Sequence, residues 1–160
     1  MLDNHTFDTH IMIVQSAFNR NVTDLLFTGA ANVLDAHKAT YEHYIVPGAF
    51  EIPAAIQFAI KGMEYAKARR RFTGYIALGC LIRGETTHYD HVCESVFHGL
   101  TELTLRYTLA LGNGMLTTET FEQARERASL AGGNNWGAQA ANTCLEMIKH
   151  KSKFALFPRS

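Results

Sequence analysis

Leu78-Gly79-Cys80-Leu81-Ile82-Arg83-Gly84-Glu85-Thr86-Thr87-His88-Tyr89-Asp90 joins an apolar run, a glycine turn and a histidine in one unbroken segment. The run from Tyr75 to Ile82 is nearly all apolar rather than alternating, which predicts a strand buried on both faces. Gly84 predicts a turn, and Thr86 or Thr87 predicts the cap of the next helix. That helix carries Tyr89, Val92, Val96, Leu100, Leu103 and Tyr107 on one face. A buried strand that turns into an amphipathic helix is the repeating unit of a parallel α/β fold, whose ligands lie beyond the carboxyl ends of the strands.

The flanking sequence repeats the unit. His10 to Gln15 predicts a first strand, followed by a helix from Asn19 to about Lys38 that Asn19 or Asn21 caps. Tyr41 to Val46 predicts a second strand, which Pro47-Gly48 ends. A helix then runs from Glu51 to about Lys67, with Pro53 in its first turn, where a missing N–H costs nothing. A fourth strand spans Leu109 to Thr117, softened by Gly112 and Gly114. An acidic-to-basic helix starts at Thr118, and Ala131 to Asn135 breaks it before a last helix that ends near Lys151. The order β-α-β-α-β-α-β-α-α predicts a three-layer α/β/α, flavodoxin-like fold, with a four-stranded parallel sheet and helices on both faces. Nothing divides residues 1–160 into more than a single domain.

Composition removes several classes of function. The formal net charge is zero, against the basic excess wanted by a general nucleic-acid or membrane-surface binder. The basic run Lys67-Ala68-Arg69-Arg70-Arg71 reads as a solvated loop edge. Cys80, Cys93 and Cys144, each in an apolar setting, point to reduced core thiols and a cytoplasmic chain. Met1-Leu2-Asp3-Asn4-His5-Thr6 has no signal-peptide pattern, and no apolar run approaches a membrane span.

The strand ends supply the candidate site: Ser16 to Phe18, Gly48 to Glu51, Cys80 to His88, and Asn113 to Thr118. The Gly84-Glu85-Thr86-Thr87 turn reads equally as an anion cradle of backbone N–H groups or as an ordinary helix start. His88, at the start of that helix, suits proton transfer near neutral pH, although most isolated histidines are structural. Phe18 and Phe50 could stack on a planar heterocycle or could be plain core aromatics. Glu51 could bond ligand hydroxyls or offset a helix dipole, and Arg127 could clamp a phosphate or be solvated. His88 and His91 are spaced as a metal-binding pair but lack a third ligand, so no metal site is expected.

Taken together, Ser16-Ala17-Phe18-Asn19, Val46-Pro47-Gly48-Ala49-Phe50-Glu51-Ile52-Pro53, the Leu78–Asp90 segment, Gly114-Met115-Leu116-Thr117-Thr118-Glu119 and Gln123-Ala124-Arg125-Glu126-Arg127-Ala128 resemble the 6,7-dimethyl-8-ribityllumazine synthase family of riboflavin biosynthesis. The resemblance implies a transferase without a cofactor. It would condense 5-amino-6-(D-ribitylamino)uracil with 3,4-dihydroxy-2-butanone 4-phosphate and release phosphate and water. It further implies that Phe18 stacks on the pyrimidine and that Ala49, Phe50 and Glu51 hold the ribityl side. Cys80, Leu81 and Ile82 would line the uracil pocket, Glu85 and Thr86 would bind phosphate through their amides, and His88 would transfer protons. Asn113 and Arg127, the latter pairing with phosphate, would come from an adjacent copy, so that active sites lie between subunits of a homo-oligomer.

Two features depart from the family pattern. Many members carry an aromatic residue at Asn113 and a lysine in the loop here formed by Ser129 to Gly137, which has none. That loop is also longer by the extra Trp136, a change the family associates with smaller assemblies, so a pentamer is expected. Two rival readings differ from this enzyme. A flavodoxin-like signalling module would need an acidic cluster or a hydroxyl-rich loop where Gln15-Ser16-Ala17-Phe18 stands. A paralogue that binds flavin or lumazine without turnover would show binding and no product.

Overall fold

The computed structural model describes residues 8–67 and 69–156. The N-terminal segment from Met1 to Thr6 and Ala68 of the basic run lie outside the described residues. Four strands, β1 (His10–Ser16), β2 (Thr40–Val46), β3 (Gly74–Ile82) and β4 (Leu111–Thr118), form one sheet in the order β2-β1-β3-β4, every pair parallel. α1 (Arg20–Ala36), α2 (Ile52–Tyr65) and α3 (His88–Tyr107) connect the strands, and α4 (Phe121–Ala128) and α5 (Trp136–Lys153) follow β4. This is the predicted three-layer α/β/α arrangement.

The two core layers follow from the strand pleat. In β1, Ile11 and Ile13 pack with Leu26, Leu34, Leu116 and Cys144 under α1, α4 and α5. Met12 and Val14 face the other way, onto Ile52, Ile56, Val96 and Leu100 of α2 and α3. Both faces are covered, so the central strands are mainly apolar. His10 and Ser16 at the ends of β1 are buried polar exceptions, and so is Gln15. Its amide donates to Thr23 Oγ1 at 3.0 Å and Asp24 Oδ1 at 2.7 Å, and its carbonyl accepts from His43 Nε2 at 2.8 Å. Burial holds His43 below the ordinary imidazole range, and its ring stacks on Phe27 at 3.8 Å. A buried amide satisfied on both ends costs the core little.

Several boundaries differ from the sequence reading. Asn19 occupies the cap position of α1, yet it is left-handed (φ 55°) and makes no side-chain cap; Asn21 lies inside the helix. α2 stops at Tyr65, where the chain turns back and the Phe72 N–H bonds Met63 Sδ at 3.4 Å. Thr118 belongs to β4, and the cap of α4 is Thr120, whose Oγ1 accepts from Gln123 N at 3.2 Å. Trp136 is not a loop residue but opens α5. Its cap, Asn135, accepts from Ala138 N at 2.9 Å and donates to Leu25 O and Ala128 O, tying α1, α4 and α5 together. Arg69 and Arg70 of the basic run are paired, with Glu42 and Asp8. Cys93 is only half-buried, unlike Cys80 and Cys144.

Gly112 and Gly114 do not soften β4. A side chain at Gly112 would overlap the Ala140 carbonyl, because α5 lies directly on the strand. Gly137 plays the same part against α1, where a Cβ would strike the Leu26 carbonyl. We expect Gly137→Ala to destabilise the fold by at least ~1–3 kcal/mol, since the obstacle is backbone that cannot rotate away. Urea unfolding measures this, and an unchanged midpoint would show that α1 and α5 are not held so closely.

Candidate active site

All four strands point their carboxyl ends the same way, and the main cavity, about 760 Å³, opens there. The end of β1 supplies Ser16 and Phe18, the segment after β2 supplies Gly48 to Glu51, and the end of β3 supplies Cys80 to Ile82, Gly84 and Thr86. The first turns of α3 add His88, Tyr89, His91 and Val92.

Phe18 stands 68% exposed on a short loop that is fixed at three points. Ala17 N donates to Val46 O at 2.8 Å, Phe18 N to Ser16 Oγ at 3.2 Å, and Asn19 Nδ2 to Cys80 O at 2.9 Å. The loop is therefore stitched to the ends of β2 and β3, and the ring is displayed, not mobile by default. Opposite it, Ala49–Glu51 form a single 3-10 turn before α2. Ala49 is buried and anchors the turn, which leaves Phe50 60% exposed. Exposed aromatic faces that are rigidly held at a cavity mouth suit a planar ring.

The turn after β3 is held by Arg83. Its N–H bonds Thr118 O at 2.9 Å, and its guanidinium pairs with Glu119 at 2.9 Å and with Asp90 at 3.0 Å while lying 4.5 Å over the Tyr89 ring. These exposed pairs are each worth at most about 1 kcal/mol, so their effect is orientation more than stability. They fix Gly84 to Thr87 between β4 and the first turn of α3. A side chain added at Gly84 would meet nothing, so the backbone there faces open space. Thr87, at the head of α3, makes no side-chain cap, and Thr86 Oγ1 accepts only a long 3.4 Å contact from His88 N. A helix start with a positive dipole and no side-chain cap is ready for an anion.

Burial pushes the Cys80 thiol up to about 11, so Cys80 is a wall of the cavity and not a thiolate nucleophile at neutral pH. Among the described residues no group of three or more His, Cys, Asp or Glu is placed to hold a metal ion. His88 and His91 both line the cavity, one helical turn apart.

The structure thus brings together Phe18, Ala49, Phe50, Glu51, Cys80, Leu81, Ile82, Thr86 and His88. It leaves three predicted residues outside. Glu85 is exposed on the turn and does not line the cavity. Asn113 lies within β4, not beyond its end, and its Oδ1 accepts from Met115 N at 3.0 Å. Arg127 lines a separate cavity of about 440 Å³ with Gln123, Asn134 and Trp136, and its guanidinium lies 5.8 Å from the Trp136 ring. Tyr89, His91 and Val92 were not expected in the site, although their spacing of one, three and four from His88 places the last two on its helical face.

A model of the family described as 6,7-dimethyl-8-ribityllumazine synthase matches residues 8–152. The chain is 44% identical over 144 residues to 6,7-dimethyl-8-ribityllumazine synthase 1 of Rhizobium meliloti, covering 90% of this chain and 92% of the relative. It is 43% identical over 145 residues to the 6,7-dimethyl-8-ribityllumazine synthase of Bartonella tribocorum, covering 91% of each. The protein of the same name from Paramagnetospirillum magneticum is 37% identical over 146 residues, covering 91% of this chain and 97% of its own.

The Asn19 stitch gives a test independent of any ligand. Asn19→Ala loses the bond to Cys80 O and places a Cβ-bearing residue at φ 55° without a polar side chain to support it. Asn19→Gly loses only the bond. Urea unfolding is expected to show a loss of about 1 kcal/mol for glycine and more for alanine. The reverse order would show that the left-handed turn carries no cost.

Proposed function

The chain belongs to the 6,7-dimethyl-8-ribityllumazine synthase family, and from that premise we propose how its residues carry out the condensation that forms the lumazine. The reaction joins 5-amino-6-(D-ribitylamino)uracil to 3,4-dihydroxy-2-butanone 4-phosphate and releases phosphate and water. The family match over nearly the whole chain, with its motif residues gathered at one cavity, carries this reading.

We assign the uracil ring to the face of Phe18, with the strand end Cys80 to Ile82 beside it and the ribityl chain toward Ala49, Phe50 and Glu51. Two exposed aromatic side chains and one carboxylate around an apolar floor support the assignment. Phosphate goes to the amides of Glu85 and Thr86. The exposed position of Glu85 suits this, because its carboxylate does not line the cavity and only its N–H is needed. His88, one residue further on, moves protons. Imine formation must lose water and phosphate elimination must lose a proton from carbon, so one titratable carrier near the phosphate serves both. Holding two substrates together in a fixed cavity supplies much of the remaining acceleration.

The charges around the cavity argue for a second copy of the chain. Among its lining residues Glu51 is the only carboxylate, and no lysine or arginine is present. A phosphate dianion is poorly balanced by amides and a helix dipole alone. Arg127 is held on another cavity of the same chain and Asn113 on an edge strand. We propose that both reach the pocket of a neighbouring copy and that the assembly is a ring of five. Phe58, Tyr65 and Leu105, each at least 74% exposed, offer apolar area for such contacts. We place the protein in the reducing cytoplasm, a reading supported by three unpaired cysteines. Among the described residues no helix is long and apolar enough to cross a membrane.

An assay with both substrates, following lumazine absorbance, tests the activity; binding of product without turnover would refute it. His88→Ala is expected to lose at least about a hundredfold in rate while its unfolding midpoint stays near the parent value, because the side chain is exposed. A full rate would remove His88 from proton transfer. Arg127→Ala should raise KM for the phosphate substrate by about tenfold or more and for the uracil far less. Equal losses for both would end its phosphate role. Light scattering should report five chains of 17.8 kDa; a megadalton particle would contradict the ring.

A further inference from the structure

A further cavity, about 330 Å³, lies at the opposite end of the sheet, where β3 begins and α2, α3 and α5 end. Met63, Phe72, Leu109 and Leu156 give it apolar walls. Three polar side chains reach it from different elements. Tyr75 opens β3, Arg71 precedes it, and Lys151 lies in the last turn of α5.

Among the described residues none of the three makes a side-chain hydrogen bond or ion pair. Tyr75 is 3% exposed as a residue, and among the described residues its hydroxyl has no hydrogen-bond partner; since no buried side-chain polar atom there is left unpaired, the hydroxyl opens into the cavity that Tyr75 lines. A hydroxyl that opens into a cavity and bonds nothing in the protein is free to donate to whatever fills that cavity. Arg71 and Lys151 form no ion pair among the described residues. Lys151 is half-buried, and that burial holds its ammonium below the ordinary lysine range with no carboxylate to restore it. The one carboxylate lining the cavity, Glu64, is already held by Lys61 at 3.1 Å. The helix dipole does not account for Lys151 either, since His150 and Lys153 in the same turn are exposed and already supply positive charge there.

We propose that this cavity is a second ligand site, separate from the active site, and that it takes a small carboxylate with a flat apolar body. The body lies against Met63, Phe72, Leu109 and Leu156. The carboxylate accepts from the Tyr75 hydroxyl and balances Arg71 and Lys151. The volume is at the small end of the range for ligand pockets, which suits a ligand of one or two fused rings. Two cations and one neutral donor match the acceptor-only chemistry of a carboxylate, and a neutral molecule would leave both charges unpaired.

The probe is 2-naphthoate, with 2-naphthamide as its neutral counterpart, titrated calorimetrically into the assembled protein. Saturable binding with a Kd below about 1 mM is expected for the acid and about tenfold weaker binding for the amide. Lys151→Met and Arg71→Met should each weaken the acid by about tenfold while leaving lumazine formation unchanged. Phe18→Ala should leave naphthoate binding intact, since it alters only the active-site cavity. Tyr75→Phe should weaken binding and should not lower the unfolding midpoint, because the hydroxyl it removes has no partner to lose. The site is refuted by the absence of saturable binding, by equal affinity for the amide, or by methionine variants that bind like the parent. It is equally refuted by binding that Phe18→Ala abolishes, or by a Tyr75→Phe protein that unfolds earlier.

Discussion

Parallel pairing of β1 with β3 is the constraint on which the rest depends. Because β1 and β3 are neighbours while β2 lies on the far side of β1, the chain runs outward from β1 in both directions. The connections leave opposite sides of the sheet, α1 on one face and α2 and α3 on the other. A crevice must open where they diverge, at the carboxyl ends of β1 and β3. The cavity that holds Phe18, Cys80 and His88 is that crevice. No loop had to be inserted to make it; the topology leaves it, and the side chains at the strand ends decide what it accepts.

Two polar devices keep the crevice in shape. At its floor, Asn19 gives up the helix cap its position suggests and bonds the Cys80 carbonyl instead. The cost is a left-handed backbone, and the return is a fixed spacing between the Phe18 loop and β3. At its rim, Arg83 joins Glu119 beyond β4 to Asp90 in α3. Each contact is weak alone. Together they hold the Gly84–Thr87 turn open at the head of a helix that no side chain caps. A capped helix would be slightly more stable and would have no amides left for an anion.

The layers, the strand order along the chain and most residues that line the candidate cavity were legible in the sequence because they rest on period and punctuation. Continuous apolar strands, Pro53 and the Pro47-Gly48 stop are local signals. What escaped was decided by distant contacts. Gly112 looks like a strand weakener until α5 is placed against it, and Gly137 shows nothing in sequence of its contact with Leu26. Asn135 in an Ala-Gly-Gly-Asn-Asn break looks like loop filler, yet it bonds three helices. Trp136 reads as an insertion but starts α5 and faces Arg127. In each instance the partner lies outside the local window, so neither propensity nor periodicity carries the information.

The parallel sheet also makes the two ends of the molecule chemically unlike. At the carboxyl end the strands run into helix starts, whose amides and dipoles already favour negative charge. The amino end collects the last turns of α2, α3 and α5, whose carbonyls are a source of negative potential. An anion at that end has the backbone against it and needs side-chain cations. Arg71 and Lys151 are such cations, and among the described residues they stand unpaired around Tyr75. Solvation of a surface helix end would leave Lys151 free to extend into water. A half-buried lysine and an unbonded hydroxyl that open onto one cavity are therefore better explained by a ligand than by the dipoles of the helices that end there.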